Sequence, residues 1–319
     1  MPATTSARHR IETPTATPVA RPAVARPVTV ATPARPPAKP PAPVAHTPAV
    51  EEDGSKDRQF VTALARGLDI LRAFHAGDGM LGNQEIAARA GLPKPTVARL
   101  THTLTELGYL SYARRFRKYE LGPSVLALGY AALSNMDVRH VARAPMQALA
   151  QQINASVSLG GRDRHSMIWL ECHRGPSAVG ITYDVGSRVP IASTAMGRAY
   201  VAALPEPEKS RLLDSLRRRG RDDWGKIKAG IEQAEREIAE RGFCLSWGEW
   251  LPEIAGVGAP LRSPDGETFF AFNASAPIYQ VSRERLEQDW GPRLVRMARE
   301  VRNGLAGRAA TPPLSRARG

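Results

Sequence analysis

Residues 83–121 leave this chain few folding options. "NQEIAARAG" is a short apolar-periodic helix stopped by Gly91. "LPKPTVARLTHTLTELG" is a second helix, with Val97, Leu100, Leu104 and Leu107 at steps of three, four and three. "YLSYARRFRKYELG" then reads as two short strands about a basic tip. Ala87 supplies the small side chain that two crossing helices need, and Gly91 tolerates left-handed backbone in the turn. Val97 is the branched anchor that seats the second helix. Pro95 suits the first helical turn, where its missing N–H has no partner to lose. The bland alternative is a three-helix bundle with a solvated charged face. The turn spacing alone recurs by chance, but followed at once by a basic hairpin it is far more specific.

The leucine stripe faces inward, which leaves Pro95, Ala98, Arg99, His102 and Glu106 outward, with Thr96 and Thr103 on one shoulder. A helix entering a DNA major groove needs small or polar groups near its N-terminus, where free N–H groups also favour phosphate. Lys94, Thr96, Arg99, His102 and Thr103 fit that need. The hairpin tip adds Arg114, Arg115, Arg117 and Lys118, four cations in five residues, suited to a phosphate backbone or a minor groove. A net charge of +13 agrees with a polyanionic partner, though both ends of the chain carry part of it.

Upstream, Phe60, Leu64, Leu68, Leu71 and Phe74 define one more amphipathic helix. It completes a winged helix-turn-helix domain over 57–122. Residues 1–56 hold 12 prolines in their first fifty positions and few large apolar side chains, so they are expected to form a disordered tail. They contain no apolar segment of the kind a secretory signal needs. From Pro123 a helical pattern returns, with a break expected at Pro145; 123–146 is read as a linker helix. Over 147–306 strands and helices mix. Three strands lie between Ala155 and Ile191, a helix starts near "TAMGRAYVAAL", and a longer one carries Ile227, Ile231, Ala234 and Ile238. A hairpin turns at Pro264-Asp265-Gly266, and a last helix spans 282–305. The fold class is therefore α+β, with one antiparallel sheet in the second domain and a disordered tail over 307–319.

Several residues invite sharper readings that the pattern does not support. Cys172 and His173 are strand neighbours pointing to opposite faces, so they cannot act as nucleophile and base. Cys172 and Cys244 show no metal or redox spacing, and two cysteines form no disulfide framework, which fits a reducing cytosol. The histidines lack ligand spacing, so no metal or other cofactor is expected. No apolar run reaches the roughly 18–20 residues of a membrane span. Trp247 and Trp250 read first as residues that close the core or an oligomer interface, with pocket walls as the alternative.

Three segments now carry a family resemblance: "NQEIAARAGLPKPTVARLTHTLTELGYL", "YELGPSVLALG" and "VGSRVPIASTAMGRAYVAAL", supported by "ERGFCLSWGEWLPEIAGVGAPLRSPDG". The chain resembles the IclR family of bacterial transcription regulators from about residue 60 to 306. The resemblance implies a winged helix-turn-helix joined by a linker helix to a GAF-like effector domain, assembled as a homodimer or homotetramer on pseudo-palindromic operator DNA. It implies no enzymatic role, a cytoplasmic location at the nucleoid, and control of a catabolic operon by a small carboxylate. Carried over residue by residue, the carboxylate meets the backbone amides of Ala195 and Met196. Ala178, Ile181, Val189 and Ile254 form apolar walls. Ser246 and Gly256 stand where some members have aspartate and cysteine, which leaves room for an aromatic acid. Pro95 departs from the family's usual serine and removes one expected DNA contact.

Two other classes remain at this level: an enzyme built on a GAF-like domain with an accessory winged helix, and an architectural DNA-binding protein. The first needs a converging nucleophile and base. The second needs no cavity in the C-terminal domain.

Overall fold

The computed structural model describes residues 59–178, 183–220 and 223–309; the proposed tail over 1–56, Ile181 and residues beyond 309 lie outside the described residues. Helices α1 (Thr62–Arg72), α2 (Asn83–Ala90) and α3 (Lys94–Glu106) pack around Ile70, Ile86 and Val97, all fully buried. Gly91 ends α2 at φ 65°, and the N–H of Leu92 reaches back to the carbonyl of Ala87. This is the left-handed helix stop that favours glycine. Strands β1 (Leu110–Ala113) and β2 (Lys118–Leu121) form the antiparallel wing.

The helical stretch after Pro123 breaks ten residues earlier than expected. Helix α4 runs Pro123–Ser134, α5 runs Asp137–Ile153, and Pro145 sits inside α5 without ending it. Burial explains the tolerance. Val138, Ala142, Met146, Leu149 and Ile153 hold α5 against the sheet on both sides of the proline, and that packing offsets one lost backbone bond. Helix α4 buries nothing: Leu126 and Tyr130 are 75% and 71% exposed.

The second domain centres on a six-stranded antiparallel sheet. Its members are β3 (Ser156–Asp163), β4 (Ser166–Arg174), β5 (Arg188–Pro190), β6 (Cys244–Trp247), β7 (Ile254–Arg262) and β8 (Phe269–Pro277), in the order β5-β4-β3-β8-β7-β6. Helices α6 (Ala195–Ala203), α7 (Glu206–Arg219) and α8 (Trp224–Arg241) follow β5, and α9 (Gly291–Ala309) is the last of the described helices. The expected last helix is thus interrupted: residues 286–290 form a π-helical turn, and α9 carries helix into the first residues of the stretch read as a tail.

Strand alternation gives the sheet two different faces. Val157, Leu159, Val257, Ala259, Phe272 and Ala274 point to one side, where α5 and α9 complete the larger core. Their neighbours Ser156, Ser158, Gly160, Gly256, Gly258, Asn273 and Ser275 point to the other, beneath α6. That second face is small and polar, so a helix can approach it closely.

Candidate functional site

Two places concentrate unpaired polar groups. The first is the outer surface of α3 with the wing. Lys94 opens α3 and is exposed, as are Arg99, His102 and Thr103, while Thr96 is half-buried. Thr103 turns its hydroxyl back to the Arg99 carbonyl at 3.1 Å, and Thr101 points inward and donates to the Val97 carbonyl. The side chains of Lys94 and Arg99 have no ion-pair partner among the described residues. Arg114, Arg115 and Arg117 crown the exposed turn between β1 and β2, and Arg117 adopts φ 53° there. Lys118 stands apart from them. Its ammonium pairs with Glu85 at 3.1 Å, and the same carboxylate accepts from the Gly82 N–H at the head of α2.

The second place is a cavity at the start of α6. Thr194 caps this helix: its Oγ1 accepts from the Gly197 N–H at 3.1 Å and donates to the Pro190 carbonyl at 2.7 Å. The N–H groups of Ala195 and Met196 have no acceptor among the described residues. They are two of the orphan donors every helix leaves at its N-terminus, where the dipole also favours an anion. Close approach fixes their position. A Cβ on Gly258 would lie 2.2 Å from the Ala195 carbonyl oxygen, and one on Gly197 would lie 2.1 Å from that of Ile191. Only glycine lets the helix start rest directly on β7 and on the chain leading into it.

Around those amides the cavity is lined by Trp169, Val189, Ser246, Trp250, Leu251, Ile254, Ala255, Gly256, Asn273 and Ser275. The structure therefore gathers Val189, Ala195, Met196, Ser246, Ile254 and Gly256 into one site. Ala178 does not line it; its N–H bonds the Gly175 carbonyl in a turn after β4. Ser246 donates to the Ser193 carbonyl at 3.1 Å, which ties β6 to the loop before α6. An aromatic wall closes one side. Tyr183 packs against Trp250 in a tilted pair with ring centroids 5.3 Å apart and meets Trp169 edge-on at 5.9 Å. Trp247 instead packs against the larger core. The space within is about 40 Å³, room for a few waters and too little for a ring, so any organic ligand must push the wall outward.

Burial disfavours the thiolate form of both cysteines. Cys244 is fully buried under α6, burial pushes its thiol up to about 12, and it donates weakly to the Ala195 carbonyl. Burial likewise raises Cys172. No group of three potential metal ligands occurs among the described residues, and none of their helices is long and apolar enough to cross a membrane.

Sequence reasoning missed Trp169, Leu251, Asn273 and Ser275. The signal available was the serine, asparagine and glycine alternating with apolar residues in "IAGVGAPL" and "FFAFNASA", a polar floor under an apolar layer.

Comparison with known proteins bears on both places. Residues 63–114 match the IclR helix-turn-helix domain, and residues 130–303 match the C-terminal domain of bacterial transcriptional regulators of the IclR type. The chain is 34% identical to the HTH-type transcriptional regulator TsaQ1/TsaQ2 of Comamonas testosteroni, over 79% of this chain and 91% of that one. It is 43% identical to an IclR family transcriptional regulator from Brucella abortus of known crystal structure, covering 81% and 95% of the two chains with a TM-score of 0.72. An IclR homologue from Microbacterium hydrocarbonoxydans, crystallised with 4-hydroxybenzoate, shares the fold at 21% identity, 77% and 100% coverage and a TM-score of 0.58.

Proposed function

The chain belongs to the IclR family of bacterial transcriptional regulators, and from that premise we propose that it reads a pseudo-palindromic operator through α3 and the wing and answers to a small aromatic carboxylate bound at the start of α6. Its relatives are transcriptional regulators, not enzymes. The observation that carries the effector reading is the pair of unpaired amides, Ala195 and Met196, opening into a cavity walled by Trp169 and Trp250. Backbone N–H groups at a helix head hold a carboxylate without a charged side chain, and the indoles suit the face of a ring. The homologue crystallised with 4-hydroxybenzoate supports that ligand class. A purely architectural DNA-binding protein has no use for such a cavity. Control of a catabolic operon, at the nucleoid of the cytoplasm, goes with this reading. Calorimetry with benzoate and benzamide tests it: the acid is expected to bind far more tightly, and equal affinities would remove the carboxylate from the argument.

On the DNA side, Arg99 lies on the outward face of α3, about one turn in, where a guanidinium can reach G O6 and N7. Arg99→Ala is expected to cost about 1–3 kcal/mol on the operator and to relax base preference at one position per half-site. Arg117→Ala, at the wing tip, should weaken all sequences alike and flatten the salt dependence by about one unit of slope. Unchanged specific and random binding by Arg99→Ala, in fluorescence anisotropy against salt, would refute the assignment of the reading helix. Lys118, held by Glu85, contributes less than its three arginine neighbours.

Assembly follows from apolar surface that one copy does not cover. Phe60, Leu64, Leu126 and Tyr130 are all more than half exposed, on α1 with its N-terminal approach and on α4. Two copies pairing there set two reading helices on DNA about one helical turn, roughly 34–36 Å, apart or a multiple of it. Sedimentation of a stable monomer at micromolar concentration, with footprints over single half-sites, would rule this out.

A further inference from the structure

The turn between β1 and β2 places a phenylalanine among the cations of the wing. Ala113 and Lys118 are the last paired residues, and 114–117 close the turn, with the Phe116 N–H donating to the Ala113 carbonyl at 3.0 Å. Phe116 is 58% exposed and lies outside the buried cluster around Val97, while the Arg115 guanidinium stands 5.6 Å from its ring centroid. A lone exposed phenylalanine needs no explanation on an ordinary surface. This one is flanked by Arg114, Arg115 and Arg117, all exposed and none in an ion pair among the described residues. Water leaves the ring only for a partner that those cations also accept. A basic surface, including a second copy of this tip, is repelled, so the partner is a polyanion.

The stalk beneath the tip is braced. Tyr119 exchanges two hydrogen bonds of 2.8 Å with Leu81, packs against the cluster around Val97, and pairs with Tyr112 at a centroid distance of 4.8 Å. Lys118, at the foot of the turn, is held by Glu85. The ring is thus carried away from the body on a support that does not let it fold back. Phosphate contact uses the cations and leaves such a ring in water. A minor-groove wedge uses both: arginines follow the groove while an apolar side chain slips between two base pairs. Resting on the reading of α3 and the wing as the operator-binding face, we propose that Phe116 inserts partway into a base-pair step beside each half-site and bends the duplex there. Unstacking is easiest at TA and CA/TG steps, so the wing reads the deformability of a position that α3 does not touch.

Selection from a random duplex library of roughly 60 base pairs, room for two half-sites several turns apart, tests this with the full chain and its Phe116→Ala and Phe116→Leu variants. The intact protein is expected to enrich a TA or CA/TG step at a fixed distance outside each half-site. With 2-aminopurine in place of the adenine of that step, fluorescence should rise on binding as stacking is lost. Phe116→Leu keeps an apolar wedge and should keep both results. Phe116→Ala should lose the step preference and the fluorescence rise, bind the selected duplex roughly five- to tenfold more weakly, and keep the half-site bases. Its salt dependence should match the parent's, whereas Arg117→Ala flattens that slope. It should also melt with the parent, because the ring is mostly exposed in the free protein. Phe116→Ala enriching the same step overturns the wedge. Lower melting of that variant does so too, by assigning the ring to the fold, as does a flatter salt slope, which means that the whole tip has moved. Half-sites enriched without a preferred step, with 2-aminopurine silent, overturn this inference and leave operator reading standing. No enriched sequence from the intact protein removes the reading of α3 and the wing itself, and this inference with it.

Discussion

Replacing Ala195 by proline is expected to abolish the effector response while operator binding persists. The substitution fits the backbone. Ala195 is the first residue of α6, where proline is favoured, and Thr194 before it is extended at φ −98°, ψ 149°, as a residue preceding proline prefers. The Thr194 cap is untouched, because its hydroxyl serves Gly197. What changes is one N–H that has no acceptor among the described residues, replaced by a ring carbon at a residue that lines the cavity. A charge-assisted hydrogen bond is worth about 1.5–3 kcal/mol, so affinity for a carboxylate should fall roughly 10- to 150-fold, before any clash with the ring is counted. α3 and the wing lie some seventy or more residues upstream, so footprints on the operator should not alter. The pair of measurements is calorimetry with 4-hydroxybenzoate and footprinting with and without it. An undiminished response in Ala195→Pro would place the effector site elsewhere.

How far the sequence alone reaches differs between the two halves. In the DNA-binding half each structural need falls on a residue with few substitutes. Gly91 does take φ 65°, Val97 is fully buried and Leu100 and Leu104 pack beside it, but Leu107, read on the same inward stripe, is exposed at the end of α3. Local periodicity and turn chemistry suffice there because the contacts are near in sequence. Pro145 shows the limit of local rules. A proline reads as a helix break, but tertiary packing of α5 overrides it, and the break falls at Asn135 and Met136, where no proline stands. In the cavity the limit is sharper. Ala195 and Met196 could be reached because a helix head behind "GSRVPIAST" is a local signature and family resemblance points to the same amides. For Asn273 and Ser275 the alternation in "FFAFNASA" marks a polar face, but not what it faces, since α6 lies some eighty residues earlier in the chain. Trp169 and Trp250 look like any buried aromatic until the register puts their rings against the same space. Ala178, carried over as an apolar wall, lies in a turn outside the lining.

The ion pair between Arg198 and Glu249 joins residues 51 apart and gives the least intuitive expectation. Arg198, on the second turn of α6, is 5% exposed; its Nε donates to the Ala192 carbonyl at 3.0 Å and its guanidinium holds the Glu249 carboxylate with two hydrogen bonds. It also lies against the bare backbone of α8, where a Cβ on Gly230 would come 2.3 Å from Nη2. Glu249, with 31% of its side chain exposed, sits on the segment that bears Trp250 and Leu251, the outer wall of the cavity. Burial ranks Arg198 as the residue to protect; electrostatics ranks them the other way. Arg198→Met keeps most of the buried stem, and the freed carboxylate turns to water, so the loss should stay near 1 kcal/mol, as for a partly exposed pair. Glu249→Ala strands a guanidinium that has no other anion bonded to it among the described residues, and should cost about 3 kcal/mol. At about 2–4 °C per kcal/mol for a domain of this size, Glu249→Ala should melt roughly 6–12 °C lower and Arg198→Met less than about 4 °C lower. Scanning calorimetry of both, with Glu249→Gln between them, checks the order. Arg198→Met melting below Glu249→Ala would show that packing, not the stranded charge, sets the cost. The same variants test entry to the cavity: with Glu249 gone the wall carrying Trp250 loses one tether, and because a ring can enter only after that wall moves, stopped-flow association of 4-hydroxybenzoate should speed up. An association rate unchanged in Glu249→Ala would mean that entry runs past the Tyr183 side instead.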